Sequence, residues 1–258
     1  MLVYGRAGAG KTVLAASSVD VPSMKNVLMI SAEGGEMSIY GTDRVKEADG
    51  VDIIRVTNFK EMASIKDWLK AHCVHRIAKN DDKLQELQDM VFGEGLPLRR
   101  YHTIIVDSLS EVEAYNMYDL LGIGDNMNLN SEMPVAEFKE YKQNNNKMQL
   151  LIRQLRDLPM HVIMTCHETY EQDETKKYHY TLKLTGQLSN NVQGFFDIVG
   201  WLQPMAATED KESPRKLWVQ PVGGKFSAKC RRPGLKKSFF DDPTMSSIMK
   251  EAGLEKKD

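Results

Sequence analysis

A glycine-rich segment near the start of the chain has the residue types and spacing that bind phosphate. Residues 5–12 match the pattern G-x-x-x-x-G-K-[ST] and lie between an apolar strand and a run of helix-forming residues. Glycines let the loop wrap closely, so that backbone N–H groups point at phosphate oxygens. Lys11 is expected to contact the β- and γ-phosphates, and Thr12 to ligate Mg²⁺. The sequence therefore predicts that ATP and Mg²⁺ bind to Gly5, Arg6, Ala7, Gly8, Ala9, Gly10, Lys11 and Thr12.

An acid at the end of an apolar strand is the second candidate for the metal site. Residues 101–108 read Tyr-His-Thr-Ile-Ile-Val-Asp-Ser, so Asp107 ends a run of strand-forming residues. A carboxylate at that point of a phosphate-loop fold holds Mg²⁺ through water. The alternative is that Asp107 or Ser108 caps the helix predicted from Leu109. Because the phosphate loop is present, the metal role is favoured for Asp107.

The catalytic base is predicted at the end of another strand. Val27–Ser31 is followed by Ala-Glu-Gly-Gly-Glu, which places Glu33 at the edge where α/β sheets bind ligands. An acid there can orient an attacking water. Glu36 lies beyond two glycines, where it is either an alternative base or a solvated residue at a helix start. The sequence favours Glu33, with Glu36 or no catalytic acid as the alternatives.

The elements that position these residues follow from the hydrophobic pattern. Short apolar runs alternate with amphipathic stretches, which is typical of a parallel sheet covered by helices. We predict strands at Leu2–Tyr4, Val27–Ser31, Val51–Val56, Thr103–Asp107 and His161–Thr165, and helices at Lys60–Lys79 and Val135–Asp157. An antiparallel extension is predicted from Phe196–Leu202, Lys216–Gln220 and Phe226–Arg231, which lie too close together for helical crossovers. We predict one α/β domain over 1–240, a polar insertion over 80–100, and a C-terminal tail over 241–258.

Net charge, cysteine spacing and hydropathy limit the partners and the compartment that the sequence predicts. The 258 residues carry a formal net charge of −2, so any contact with nucleic acid must come from local basic patches. The three cysteines are widely spaced, which suits a reducing compartment and gives no zinc pattern. No secretion leader opens the sequence, and no apolar run approaches the roughly 20 residues that cross a bilayer. We expect a soluble, cytoplasmic protein without a membrane partner.

Four segments together resemble the RecA-like recombination ATPases. They are the phosphate loop, the strand end Ser31–Glu33, the strand that ends at Asp107, and the polar end of the fifth strand, Met164–Glu168. The chain is most similar to short phage-encoded proteins that contain little more than the ATPase core of strand-exchange recombinases and act in single-strand annealing. The resemblance implies a RecA-like P-loop fold, Glu33 as the base, His167 as the sensor of the γ-phosphate, and a DNA-facing loop after His167.

A late Lys-x-Arg pair extends this resemblance. Lys229 and Arg231 lie two residues apart, on the same face of a predicted strand. Similar pairs in RecA-like proteins reach into the ATP site of the neighbouring subunit, where they stabilise charge during phosphoryl transfer. The resemblance therefore implies a homo-oligomer, a ring or a filament, with ATP sites between subunits. The alternative is a basic edge strand that discourages aggregation.

The segment after His167 contains the residues expected to contact DNA. Cations on this segment can follow phosphates, and aromatic rings can stack on unpaired bases. The acids Glu171, Asp173 and Glu174 in the same segment favour an alternative, a hairpin whose alternating residues are half exposed. A second basic stretch, 225–237, could serve ATP, DNA or both. The predicted DNA-binding residues are Lys176, Lys177, Tyr178, Tyr180 and Lys183.

These features predict an ATP- and Mg²⁺-dependent ATPase that binds single-stranded DNA and promotes annealing or strand pairing in phage recombination. Its expected partners are single-stranded DNA, further copies of the chain and a single-strand-binding protein, in the cytoplasm of the bacterial host. One alternative is a DNA motor of the hexameric helicase type. Another is a regulatory RecA-like ATPase or a P-loop kinase that does not act on nucleic acid. Kinases usually need an Arg-rich lid over the phosphates, and the sequence has no obvious segment of this kind.

Overall fold

The computed structural model describes residues 1–124, 127–128, 130–172, 176–206 and 213–255. Within these ranges the strands are β1 (Leu2–Gly5), β2 (Val27–Ser31), β3 (Val51–Arg55), β4 (Thr103–Asp107), β5 (His161–Gln172), β6 (Tyr178–Leu182), β7 (Ile198–Pro204), β8 (Arg215–Trp218), β9 (Lys229–Cys230) and β10 (Phe239–Asp241). The α-helices are α1 (Lys11–Ala16), α2 (Phe59–Ile77), α3 (Asp81–Phe92), α4 (Leu109–Leu121), α5 (Phe138–Arg156), α6 (Leu188–Gln193) and α7 (Met245–Glu251). Short 3₁₀ turns occupy Ser17–Asp20, Pro22–Met24, Glu36–Ile39 and Ala48–Gly50.

The strand order brings the predicted site residues to one edge of the sheet. Six neighbouring strands run parallel in the order β7-β1-β5-β4-β2-β3, while β8 and β10 continue the sheet in antiparallel fashion beyond β7. Strand β5 lies between β1, which leads into the phosphate loop, and β4, which ends at Asp107. A mostly parallel sheet flanked by helices, with antiparallel strands near the C-terminus, confirms the predicted α/β fold class.

The parallel strands are buried on both faces because successive residues are apolar. Leu28 and Ile30 belong to a core formed with α2, α4 and α5, whereas Val27 and Met29 belong to a second core formed with α1 and α7. All four side chains are fully buried. Burial of one such side chain contributes about 1.5–3 kcal/mol. A shift of one residue along β2 would exchange the two faces and move each side chain into the other core.

Side-chain caps determine where the two longest helices begin. The side chain of Asn58 accepts a hydrogen bond from the backbone N–H of Glu61, which starts α2 at Phe59. Glu137 and Glu140 form a reciprocal capping box at the start of α5. The apolar pattern alone predicts these starts less accurately, because it does not contain the cap geometry.

Three predicted segments differ in the structure. The stretch 80–100, expected as an insertion, contains α3, because Asn80 caps this helix and Leu84 is buried beneath it. Strand β7 runs parallel to β1 because α6 precedes it, so the antiparallel extension begins only at β8. The expected tail contains α7, which buries Ile248 in the second core.

Candidate active site

The phosphate loop lies at the carboxyl edge of the sheet, between β1 and α1. Gly10 has a φ of 85°, and a Cβ added there would lie 1.9 Å from the guanidinium group of Arg215. A Cβ added at Gly5 would lie 2.4 Å from the carbonyl oxygen of Leu202. A side chain at Gly10 would therefore both strain the backbone and clash with Arg215. A side chain at Gly5 would clash with the backbone of Leu202.

Lys11 is the first residue of α1, and its ammonium group lies against the loop. The side chain is buried, and Nζ donates to the carbonyl oxygens of Gly5 and Arg6, each at 3.1 Å. Burial lowers the pKa of Lys11, and the charges of Glu33 and Asp107 oppose that shift. The ammonium group is therefore placed among loop carbonyls and carboxylates, where a phosphate tail would meet it.

Asp107 connects the loop to the centre of the sheet. Its buried carboxylate accepts hydrogen bonds from the hydroxyls of Thr12, at 2.8 Å, and Thr165. Burial raises the pKa of Asp107, and the hydrogen bonds from Thr165 and Thr12 oppose this effect. Ser108, and not Asp107, occupies the N-cap position of α4, and it makes no side-chain cap hydrogen bond. The geometry thus favours the metal role over the capping alternative.

The donors around Asp107 suit Mg²⁺. This ion takes oxygen ligands and is commonly held by one or two carboxylates together with waters and substrate phosphates. Thr12 and Asp107 offer a hydroxyl and a carboxylate in contact with each other. Among the residues that the structure describes, no group of three or more His, Cys, Asp or Glu could hold a metal by protein ligands alone. The pair therefore fits a metal ion that is shared with a nucleotide.

Glu33 lines the same cleft and is paired with His167. Their atoms Oε1 and Nε2 are 3.0 Å apart, and the Glu33 side chain is 30% exposed. The hydrogen bond from His167 lowers the pKa of Glu33, and the charge of Lys11 acts in the same direction. Register between β1 and β5 sets His167 beside Gly5. The ends of β1 and β2 and the middle of β5 thus bring together an ionised carboxylate, the imidazole that holds it and the Lys11 ammonium group.

Glu36, the alternative base, is held by structural contacts. Glu36 is 3% exposed and accepts a hydrogen bond from the Ser31 hydroxyl at 2.8 Å. It also forms an ion pair with Arg55. A carboxylate that is buried and paired in this way is poorly placed to accept a proton from the water that attacks a phosphate. The geometry therefore favours Glu33, whose catalytic role stays a prediction.

Lys229 and Arg231 lie away from the phosphate loop of their own chain. Lys229 pairs with β7 at the level of the first residue of β1, which is the opposite edge of the sheet. Its Nζ donates to the carbonyl oxygen of Gln193 at 2.6 Å, and Arg231 donates to that of Gly194 at 2.9 Å. Cations at these carbonyls stabilise the C-terminal end of α6. The predicted role in a neighbouring ATP site stays a prediction.

The segment after His167 folds as a hairpin, the alternative that the sequence leaves open. Strand β5 continues past Thr165 to Gln172 and pairs with β6 in antiparallel fashion. Two of the acids noted in this segment, Asp173 and Glu174, lie outside the described residues. Lys176 and Lys177 lie just before β6, whereas Tyr178 and Tyr180 lie within that strand.

The aromatic residues of this hairpin form two groups. Tyr170 and Tyr178 contact each other edge to face at 5.2 Å, and they are 62% and 52% exposed. Tyr180 stacks on Trp201 at 5.2 Å and so supports the base of the hairpin. Lys183 is exposed just after β6. Of the predicted DNA-binding residues, Tyr178 and the lysines face outward, whereas Tyr180 is largely used for packing.

Two arginines that the sequence analysis does not single out also line the cleft. The cleft has a volume of about 450 Å³, and its walls include Arg44 and Arg215 beside the phosphate loop. Arg44 follows the 3₁₀ turn after β2, and Arg215 is the first residue of β8. The fold brings them together because β8 adjoins β7, which adjoins β1. No local motif marks either residue; the strand order could have indicated Arg215, whereas Arg44 lies on a segment outside the strands.

Comparisons with known proteins place these observations in context. A family model described as an AAA domain, AAA_24, matches residues 1–231. Among solved structures, the flagellar accessory protein FlaH from Methanocaldococcus jannaschii is 11% identical, with a TM-score of 0.42 over 93% of this chain and 82% of FlaH. No curated protein matches the sequence. The part of the chain that the structure describes contains no helix with the length and apolar character needed to cross a membrane.

Proposed function

Because the chain belongs to the AAA domain family AAA_24, we propose that it is an ATPase that binds ATP and Mg²⁺ between its phosphate loop and Asp107. One observation carries this proposal. Lys11, the contact between Thr12 and Asp107, and the pair formed by Glu33 and His167 all meet at the carboxyl edge of the sheet. This arrangement supports the proposed roles: a cation that binds phosphate, oxygen donors for a metal and a carboxylate base.

Each residue has a separate task in the proposed reaction. Backbone amides of the loop and the Lys11 ammonium group bind the phosphates. Thr12 and Asp107 would hold Mg²⁺, which when bound neutralises charge on the phosphate oxygens. The Glu33 carboxylate accepts a proton from the attacking water. His167 donates from Nε2 to Glu33 and thereby fixes the direction in which that carboxylate points.

The finer part of the proposal is that single-stranded DNA binds the β5–β6 hairpin, and that the chain anneals or pairs strands in phage-type recombination. Support comes from three exposed lysines next to β6: Lys176 and Lys177 lie just before the strand, and Lys183 lies just after it. The backbone N–H of Lys183 donates to the carbonyl oxygen of His167 at 2.8 Å, so the base of the hairpin is bonded to the residue that orients Glu33. Contact with a single-strand-binding protein and a cytoplasmic location belong to the same proposal.

Hydrolysis of ATP, measured with and without single-stranded DNA, tests this proposal. We expect Mg²⁺-dependent turnover that rises when DNA is added, because DNA on the hairpin acts on the position of Glu33 through His167. Annealing of complementary labelled strands should also be faster with protein and ATP. Displacement of a strand from a duplex would instead indicate a helicase-type motor. If the rate of ATP hydrolysis does not change when DNA is added, the result would favour a regulatory ATPase that acts on other partners.

The hairpin itself is tested by replacing Lys176, Lys177 and Lys183 with alanine. The expected result is weaker binding of single-stranded DNA and a flatter dependence of affinity on salt, with a slope loss approaching about 0.7 per phosphate contact removed. A matched control replaces the exposed lysines Lys25, Lys70 and Lys83, which lie elsewhere on the surface. If the hairpin variant and the control both retain wild-type affinity and slope, the hairpin is not the DNA site.

We also propose that the chain forms a homo-oligomer in which Lys229 and Arg231 act at the ATP site of a neighbour. A subunit with both residues replaced by alanine and a Lys11→Ala subunit should each be inactive alone. Mixed together, they should regain hydrolysis, because some interfaces then join an intact phosphate loop to an intact Lys229 and Arg231. The measurement is ATPase activity across a series of mixing ratios.

Subunit exchange must be shown in the same samples, by fluorescence transfer between labelled subunits. Exchange without recovered activity would remove the shared-site role. In that case Lys229 and Arg231 serve only the carbonyls of Gln193 and Gly194, and their replacement should lower the melting temperature instead.

A further inference from the structure

A cluster of charged residues stands on the wall of the cleft beside the phosphate loop. Arg215 is only 7% exposed, and its guanidinium donates to the carbonyl oxygen of Gly10 at 3.0 Å. Arg44 lies on the same wall, with its side chain 19% exposed. Both cations are therefore held within the cleft that contains Lys11.

Among the residues that the structure describes, Asp242 contacts both arginines. Asp242 Oδ1 lies 2.9 Å from the guanidinium of Arg44 and accepts the backbone N–H of Arg215 at 3.1 Å. The backbone N–H of Asp242 in turn donates to the carbonyl oxygen of Arg215 at 2.7 Å. Asp242 has a φ of 42°, in the left-handed region that aspartate tolerates better than most residues. Arg44 is further tied to the carbonyl oxygen of Ser213 at 3.2 Å.

The type of side chain points to the chemistry of the ligand. A guanidinium group presents several N–H donors in a rigid planar fork that matches phosphate oxygens, and it keeps its charge when it is partly buried. Cations along a cleft raise the local concentration of polyanions. Arg215 contacts the residue that immediately precedes Lys11, so this wall continues the positive surface of the phosphate loop.

We propose that Arg44 and Arg215 bind the phosphate groups of the nucleotide from within the same chain, and that Asp242 is the positioning residue for both. This inference rests on the proposed function of the cleft as an ATP site. It differs from the role proposed for Lys229 and Arg231, because it requires no second subunit. Each chain then supplies two cations to its own nucleotide, in addition to any residues that a neighbouring subunit supplies.

Calorimetric titration with Mg²⁺-ATP and with inorganic triphosphate tests this inference without reference to turnover. The variant Arg44→Gln should bind both ligands about tenfold or more weakly, because a charge-assisted hydrogen bond to phosphate is lost. Asp242→Asn should weaken both to a smaller degree, since the arginines remain but are held less firmly. Arg100→Gln is the matched control: it removes an arginine that pairs with Asp81 on the surface, and binding should be unchanged.

The outcomes separate this inference from the proposed function. Wild-type protein that binds neither ligand would overturn both. Wild-type protein that binds and hydrolyses ATP, with Arg44→Gln binding both ligands as tightly, would overturn the inference alone. A loss confined to ATP, with triphosphate binding unchanged, would also overturn it, because the arginines would then serve the nucleoside. Arg215→Gln is informative only with a native circular dichroism spectrum, since Arg215 is buried against Gly10. Arg44→Gln, nearer the surface, therefore decides the result.

Discussion

Replacing Glu33 with glutamine is expected to slow ATP hydrolysis by on the order of 100-fold or more while ATP affinity stays nearly unchanged. Glutamine has the same shape and can still accept the hydrogen bond from His167, which lies 3.0 Å from the carboxylate. It cannot take a proton from water. Single-turnover hydrolysis, measured beside equilibrium binding of a fluorescent ATP analogue, separates the two effects.

Glu36→Gln is the matched control for this prediction. Glu36 is buried between Ser31 and Arg55, so its replacement should lower the melting temperature, with less effect on the chemical step. The reverse pattern, with a slow and stable Glu36→Gln protein and an active Glu33→Gln protein, would transfer the catalytic role to Glu36. Equal losses of affinity and rate in Glu33→Gln would mean that Glu33 binds nucleotide instead of acting as the base.

Replacing Lys11 with alanine should abolish ATP hydrolysis and leave the protein folded. The ammonium group is the point charge expected beside the β- and γ-phosphates. The fold should survive, because the sheet is held by apolar packing on both faces and burial disfavours the charged form of Lys11. ATPase activity and a thermal melt provide the measurement.

Lys25→Ala is a suitable control for Lys11→Ala. Lys25 forms a surface ion pair with Glu47 at 3.0 Å, and removal of such a pair should change neither turnover nor, by more than about 1 kcal/mol, stability. A folded Lys11→Ala protein that hydrolyses ATP near the wild-type rate would contradict the assignment of the phosphate loop.

The parts of the molecule that sequence predicts well are those whose signal is local. The strands Val27–Ser31 and Thr103–Asp107 have the bounds that the apolar runs indicate, because each run is buried on both faces from end to end. The phosphate loop is likewise contiguous, and its glycines, lysine and threonine can be identified without knowing what lies beside them. These segments also fix the positions of Glu33 and Asp107 at the sheet edge.

Features that depend on distant partners could not be predicted in the same way. Arg44, Arg215 and Asp242 meet only because β8 and β10 continue the sheet beyond β7. The helix α3 packs against α2, where the indole N–H of Trp68 donates to the carbonyl oxygen of Leu87, and the residues of α3 do not themselves indicate this contact. In the same way, the carbonyl contact of Lys229 depends on where α6 ends, which its own strand does not indicate.

Strand β5 is a single 12-residue strand from His161 to Gln172, which corresponds to a length of roughly 40 Å. Its first half is clamped between β1 and β4, and its second half projects as one arm of the hairpin. His167 is the last residue of β5 that pairs with β1, and the pairing with β6 begins at the next residue, Glu168. Thermodynamic linkage makes any coupling between the two halves reciprocal. If bound nucleotide changes the affinity of the outer arm for a ligand by some factor, that ligand changes the affinity for nucleotide by the same factor.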